Sequence, residues 1–210
     1  MIFEKARSWG YCSRNPMNDT RSLHSKEKKS PLHLTMDVLW NKLYPAASPM
    51  MKRAIVLAFY LAQHEMEVKN MQWRMFDREN CMVTFVRVKT NREIPICYSH
   101  NDRFRLWVEK TFAERQLCPW LIAKHNKRAG WSQYASFRSM WIKALESAGY
   151  DESAFDFKEI RHLSNSIMAA RKVPVDKRCS VTGHTTWEAN EKYTHDLGQN
   201  SKDSYTSTSV

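Results

Sequence analysis

The stretch Thr182-Gly183-His184-Thr185-Thr186-Trp187-Glu188-Ala189-Asn190-Glu191-Lys192-Tyr193 places a Gly-His step nine residues ahead of a tyrosine. Upstream, Lys158-Glu159-Ile160-Arg161-His162 adds a cluster of nitrogen-bearing side chains. Taken singly, these residues are ordinary, since a tyrosine most often fills a core or surface position and a basic helix face is usually just solvated. A free phenol with a pKa near 10 is only about 0.1% ionised at neutral pH, so a nucleophilic Tyr193 needs a base or neighbouring cations. Arg161 suits bidentate contact with phosphate oxygens, and Lys158 can donate as a point charge. The two stand three apart on a predicted helix, which puts both on one face, with Ile160, Leu163 and Ile167 turned to the core.

The Gly-His-to-Tyr spacing together with Lys158, Arg161 and His162 resembles the active site of the tyrosine recombinases, the phage integrase family. The resemblance covers about residues 31 to 196. It implies a mainly α fold with a small antiparallel β-sheet, that of the tyrosine recombinase catalytic domain. It also implies roles: Tyr193 forms a 3′-phosphotyrosyl link with DNA, while Arg161, Lys158 and His184 hold and stabilise the phosphate. Lys89, in Val88-Lys89-Thr90-Asn91-Arg92-Glu93-Ile94-Pro95, resembles the family's hairpin lysine, which protonates the departing 5′ oxygen. Arg87 and Arg92, on the same hairpin, are read as charges that can lie over DNA.

The family's first box departs from its pattern here. Matching Met71-Gln72-Trp73 to the Leu-x-Trp that closes the box sets Leu61-Ala62-Gln63-His64-Glu65-Met66-Glu67 over Thr-Gly-x-Arg-x-x-Glu. Glu67 and Trp73 fit, but His64 stands where the family has an arginine. Imidazole is short, mostly neutral at pH 7 and unable to form the two-pronged contact with phosphate. Losing such a cation is expected to slow the reaction by roughly 10²- to 10⁵-fold. Protonation of His64 toward pH 6 is expected to restore part of the charge.

Lys and Arg outnumber Asp and Glu by 33 to 22, a formal net charge of +11. That balance favours a polyanionic partner, because each neutralised phosphate releases counterions. Double-stranded DNA carrying attachment-type sites is the expected partner, with self-association on it and no membrane or small-molecule substrate. The five cysteines are scattered and form no zinc-type or disulfide framework, so the thiols are expected to be reduced and the compartment cytoplasmic. The longest apolar run, Ala54 to Ala62, is far short of the roughly 20 residues of a membrane span. No cofactor and no metal are expected. A DNA-binding protein that no longer cleaves is the alternative function, and an unrelated helical interaction module is a third.

Residues 1–30 are polar and basic, and the resemblance implies that they are a remnant of the last helix and linker of the DNA-clamping core-binding domain. Residues 31–197 are then the catalytic domain and 198–210 a disordered polar tail. Within the catalytic part, helical periodicity is expected over about 36–44, broken by Pro45 and Pro49, and over 51–71, 101–116, 133–148, 157–171 and 176–181, with a last helix from about 186 carrying Tyr193. Alternation through Met82, Thr84, Val86 and Val88, followed by Ile94-Pro95-Ile96-Cys97-Tyr98, predicts a β-hairpin.

Overall fold

The computed structural model describes residues 2–16, 33–87, 91–184 and 186–191. The chain divides into two compact units, Met1–Ser30 and Pro31–Val210. In the first, helix α1 (Ile2–Ser8) buries none of its residues and is followed by a short return. Cys12 Sγ donates to Phe3 O, and Asn15 Nδ2 donates to Glu4 Oε1 at 2.8 Å.

The second unit is built around two helices, α3 (Pro49–Tyr60) and α7 (Glu159–Ala170), which pack on each other. Ser48 caps α3, its Oγ accepting from the Met51 N–H, and Pro49 takes the first helical position, where its missing N–H costs nothing. Pro49 therefore starts a helix instead of breaking one. Pro45 likewise sits in the first turn of α2 (Tyr44–Ala46), which continues a π-helical turn over Val38–Leu43. Met51, Ala54, Ile55, Leu57 and Ala58 of α3 are fully buried.

The single helix expected over 51–71 is two. Leu61 ends α3, Ala62 adopts a left-handed backbone (φ 51°), and His64 precedes α4 (Glu65–Lys69) in extended geometry. A non-glycine residue in that region costs about 1–2 kcal/mol. The break turns the chain back across the end of α8 (Val175–Thr182), where Gln63 Nε2 donates to Val181 O at 2.7 Å.

The predicted hairpin is present as β2 (Met82–Val86) and β3 (Glu93–Cys97), with Val83 opposite Ile96 and Phe85 opposite Ile94 on the buried face. A short strand, β1 (Phe76–Asp77), extends it to the order β1-β2-β3. Helix α5 (Asp102–Ala113) follows, capped by Asn101 Oδ1 accepting from the Phe104 N–H. A second hairpin, β4 (Lys124–Asn126) and β5 (Gly130–Ser132), was not expected. Its strands are three residues long with no buried position to set up an alternation, and its turn is held by Asn126 Oδ1, which accepts from the Arg128 and Ala129 N–H groups. Helices α6 (Arg138–Ser147) and α9 (Trp187–Glu191) complete the unit. Among the described residues no helix is long and apolar enough to cross a membrane.

Helix α8 ends on Gly183, whose left-handed backbone (φ 69°) lets its N–H reach Cys179 O at 2.7 Å. A Cβ at Gly183 would stand 2.4 Å from Ile94 Cδ1 and 3.0 Å from Arg87 Cζ. Gly183→Ala is thus expected to destabilise through both strain and overlap, by about 2–4 kcal/mol. Ala62→Gly should act oppositely, relieving about 1 kcal/mol and raising Tm by about 2–4 °C. Thermal unfolding of the two variants, with shifts of opposite sign, checks both.

Candidate active site

Helix α7 carries an unusual load for a buried element. Ile160, Leu163 and Ile167 face apolar neighbours as the sequence pattern requires, yet Arg161, His162, Ser164, Asn165 and Ser166 are buried with them. Arg161 is 1% exposed. A buried guanidinium is costly unless its N–H groups find acceptors. Nη1 donates to Ala62 O at 2.8 Å, the carbonyl that the left-handed turn presents, and Nη2 stands 2.7 Å from His184 Nε2.

The proton on the His184 ring is assigned by its neighbours. Arginine only donates, so Nε2 accepts and the neutral ring carries its hydrogen on Nδ1. Thr182 Oγ1, 2.9 Å from Nδ1, already donates to Arg178 O at 2.7 Å and so accepts that hydrogen. Behind this pair lies Asn190 of α9, fully buried. Its Nδ2 reaches Thr182 Oγ1 at 3.2 Å and Asn165 Oδ1 at 3.3 Å, and its Oδ1 accepts from Arg178 Nη1 at 2.9 Å. Three helices, α7, α8 and α9, meet at one amide.

His64 sits at the N-terminus of α4 in the same neighbourhood. Burial, then the Arg161 and Arg87 guanidiniums and His162, hold its pKa down at about 3. The same causes, with His64 added, hold His184 at about 3. The expectation that His64 gains charge toward pH 6 is therefore corrected: a positive imidazole here would be stripped of water beside two guanidiniums.

Lys158 and Arg161 differ in burial. Lys158 lies before the first turn of α7 and is exposed, its Nζ 2.8 Å from Asp156 Oδ2, whereas Arg161 is a turn further on and points into the core. Lys158 instead lines a cleft of about 440 Å³ with His64, Glu65, Met66, Asp156 and Phe157. Glu67 is buried on α4. Tyr193 and Lys89 lie outside the described residues.

Arg87, directly after β2, donates from Nη2 to Thr182 O. The resemblance singled out Arg161 and His184, which the structure brings into hydrogen-bond contact across 23 residues of sequence. Gln63, Asn165, Arg178, Thr182 and Asn190 were missed as supports. Their partners are distant in sequence, and only the lack of any motif role for the polar residues of α7 hinted at them.

The chain resembles solved recombinase structures over most of its length. A lambda integrase dimer bound to a COC′ core site matches with a TM-score of 0.69 and 22% identity, covering 94% of this chain and 70% of that one. XerA recombinase matches with 0.58 and 17%, covering 92% and 68%. The lambda integrase catalytic core matches with 0.56 and 20%, covering 72% of this chain and 90% of that one. The chain has the tyrosine recombinase catalytic-domain fold. It spans 57% of the length of two longer lambda integrase chains, one in a tetramer bound to a Holliday junction. No family model matches the sequence, and no curated protein matches it significantly. On the tyrosine recombinase fold, a buried Arg161 and a half-buried His184 thus pair at the meeting of α7 and the α8–α9 turn.

Both imidazoles have folded-state pKa values below the unfolded value near 6.5, so between pH 6.5 and about 3 the unfolded chain binds more protons. Stability is accordingly present above pH 6.5 and is lost as pH falls through that window. Tm should drop between pH 7 and pH 5, and the drop should be smaller in His64→Gln. NMR titration is expected to show His184 still neutral, with its hydrogen on Nδ1, at pH 5.

Proposed function

We propose that this chain cleaves and rejoins double-stranded DNA through a 3′-phosphotyrosine intermediate on Tyr193, the chemistry of site-specific recombination. The observation that carries the reading is the contact between Arg161 and His184, two nitrogen-rich side chains gathered on the tyrosine recombinase fold. In the proposed step the Tyr193 phenolate oxygen attacks phosphorus, the P–O5′ bond breaks, and the 5′ oxygen takes a proton from Lys89. The phenol gives up its proton to solvent water to form that phenolate, so one proton leaves at Tyr193 and one arrives at the 5′ oxygen. Arg161, His184 and Lys158 stabilise the charge that accumulates on the non-bridging oxygens. To do so, Arg161 Nη2 must exchange part of its contact with His184 for a phosphate oxygen, an acceptor that carries full negative charge. The covalent bond conserves the energy of the broken diester, so reversal by a 5′ hydroxyl rejoins the strand without an external nucleotide.

The +11 net charge supports a DNA partner, and the lambda integrase structures, a dimer on a core site and a tetramer on a Holliday junction, support self-association on it. One observation favours a second reading, DNA binding without cleavage: His64 is held neutral at the position of the family's first arginine. The two readings part on covalent capture. With a pool of nicked suicide duplexes of randomised sequence, the first predicts DNA that stays attached through denaturing electrophoresis, and Tyr193→Phe is expected to abolish this. Retention of the adduct in Tyr193→Phe, or duplex binding with no adduct in the wild type, would overturn it.

A further inference from the structure

Position 64 leaves the site short of a guanidinium, and the structure holds one close by. Arg87 leaves β2 directly toward the turn that carries His184. Its Nη2 donates to Thr182 O, and its Cζ lies 3.0 Å from where a Cβ on Gly183 would stand. That approach exists because residue 183 has no side chain. Glycine here serves two ends, closing α8 and admitting the arginine.

Arg87 is poorly satisfied as it stands. Among the described residues it makes one side-chain hydrogen bond and no ion pair, and its Nε is buried without a partner. The surrounding groups offer it little. Thr182 gives a carbonyl, and His64 and His184 are imidazoles kept uncharged first by burial and then by Arg161 and Arg87. A buried donor with no acceptor costs about 1–3 kcal/mol, more when it belongs to a charged group. A guanidinium such as that of Arg87, served by one neutral carbonyl, produces a local field that an anion with several oxygens relieves. A DNA phosphate is such an anion, and Arg87 has Nη1 left to offer it.

We propose that Arg87 is a phosphate-contacting residue of this site, supplying from the end of β2 the guanidinium that position 64 lacks. The proposal rests on the strand-cleavage reading and adds to it a residue outside the boxes that the resemblance matched. It also gives His64 a reason to be small and neutral: an arginine there would put a third guanidinium beside Arg87 and Arg161.

The test uses the full chain and four proteins: wild type, Arg87→Gln, Arg87→Lys and Arg87→Gln combined with His64→Arg. Thermal unfolding first establishes that all are folded. On the randomised nicked duplexes, Arg87→Gln should cut covalent capture at least about 100-fold, in the range for loss of one charge-stabilising donor. Arg87→Lys should keep part of it, and His64→Arg in the Arg87→Gln background should recover at least about tenfold. A duplex with a neutral methylphosphonate at the cleaved position separates charge from bracing. Contact with phosphate predicts that the penalty of Arg87→Gln shrinks there, whereas a brace for Thr182 predicts the same penalty on both duplexes and no recovery by His64→Arg.

Equal capture by Arg87→Gln and wild type would overturn the proposal while leaving the recombinase reading intact. If the wild type captures no DNA, that reading fails, and Arg87 is judged by binding to a mixed-sequence duplex. There the slope of log Kd against log salt should fall by about one in Arg87→Gln, and an unchanged slope overturns the contact.

Discussion

A guanidinium 1% exposed inside a helical core is the constraint around which the second unit is arranged. Arg161 cannot be neutralised by losing a proton, so the fold has to bring acceptors to it. One acceptor is the carbonyl of Ala62, available because α3 stops and the backbone turns through left-handed geometry. Another is His184 Nε2, which fixes the ring tautomer and through it the direction of Thr182. The break between α3 and α4, the end of α8 and the placement of α9 all relate to this one charge. A hydrophobic residue at 161 would free each of them, which suggests that the charge is retained for what it does and not for stability.

Electrostatically, the site is one-sided. Burial first, and then Arg161 and Arg87, lower the pKa of His64 and of His184 to about 3. The chain therefore keeps its positive charge on groups that do not titrate near neutrality. Charge state and acidity are uncoupled at this position, which suits chemistry on an anion whose own charge is constant over the same range.

Much of this was legible in the sequence, and the exceptions have identifiable causes. Strict alternation over Met82–Val86 gave the hairpin because Val83 and Phe85 really do face a core. The α3–α4 break was missed because Leu61, Val68 and Met71 are all buried and so keep the helical pattern running through residues that are not helical. A glycine at 62 would have announced the turn, but alanine occupies it. Arg161 and His184 were found through the resemblance, since motif spacing preserves what chemistry requires. Asn165, Arg178 and Asn190 were not, since a hydrogen-bond network closes in space and leaves no period along the chain. Lys158 illustrates a further limit: spacing along a helix says nothing of depth, and at the exposed start of α7 Lys158 reaches solvent and Asp156 while Arg161, one turn on, is buried.

The fastening of α9 carries a consequence for how that helix is held. Of its described side chains, Trp187 and Glu188 face solvent and only Asn190 is buried. Apolar adhesion tolerates sliding and rotation, because oily surfaces match in many registers. An amide that must point its nitrogen at Thr182 and Asn165 and its oxygen at Arg178 matches in only one. Helix α9 is thus attached with high angular precision and modest grip. Such a joint fixes the orientation of α9 on α7 and α8 through direction and not through area.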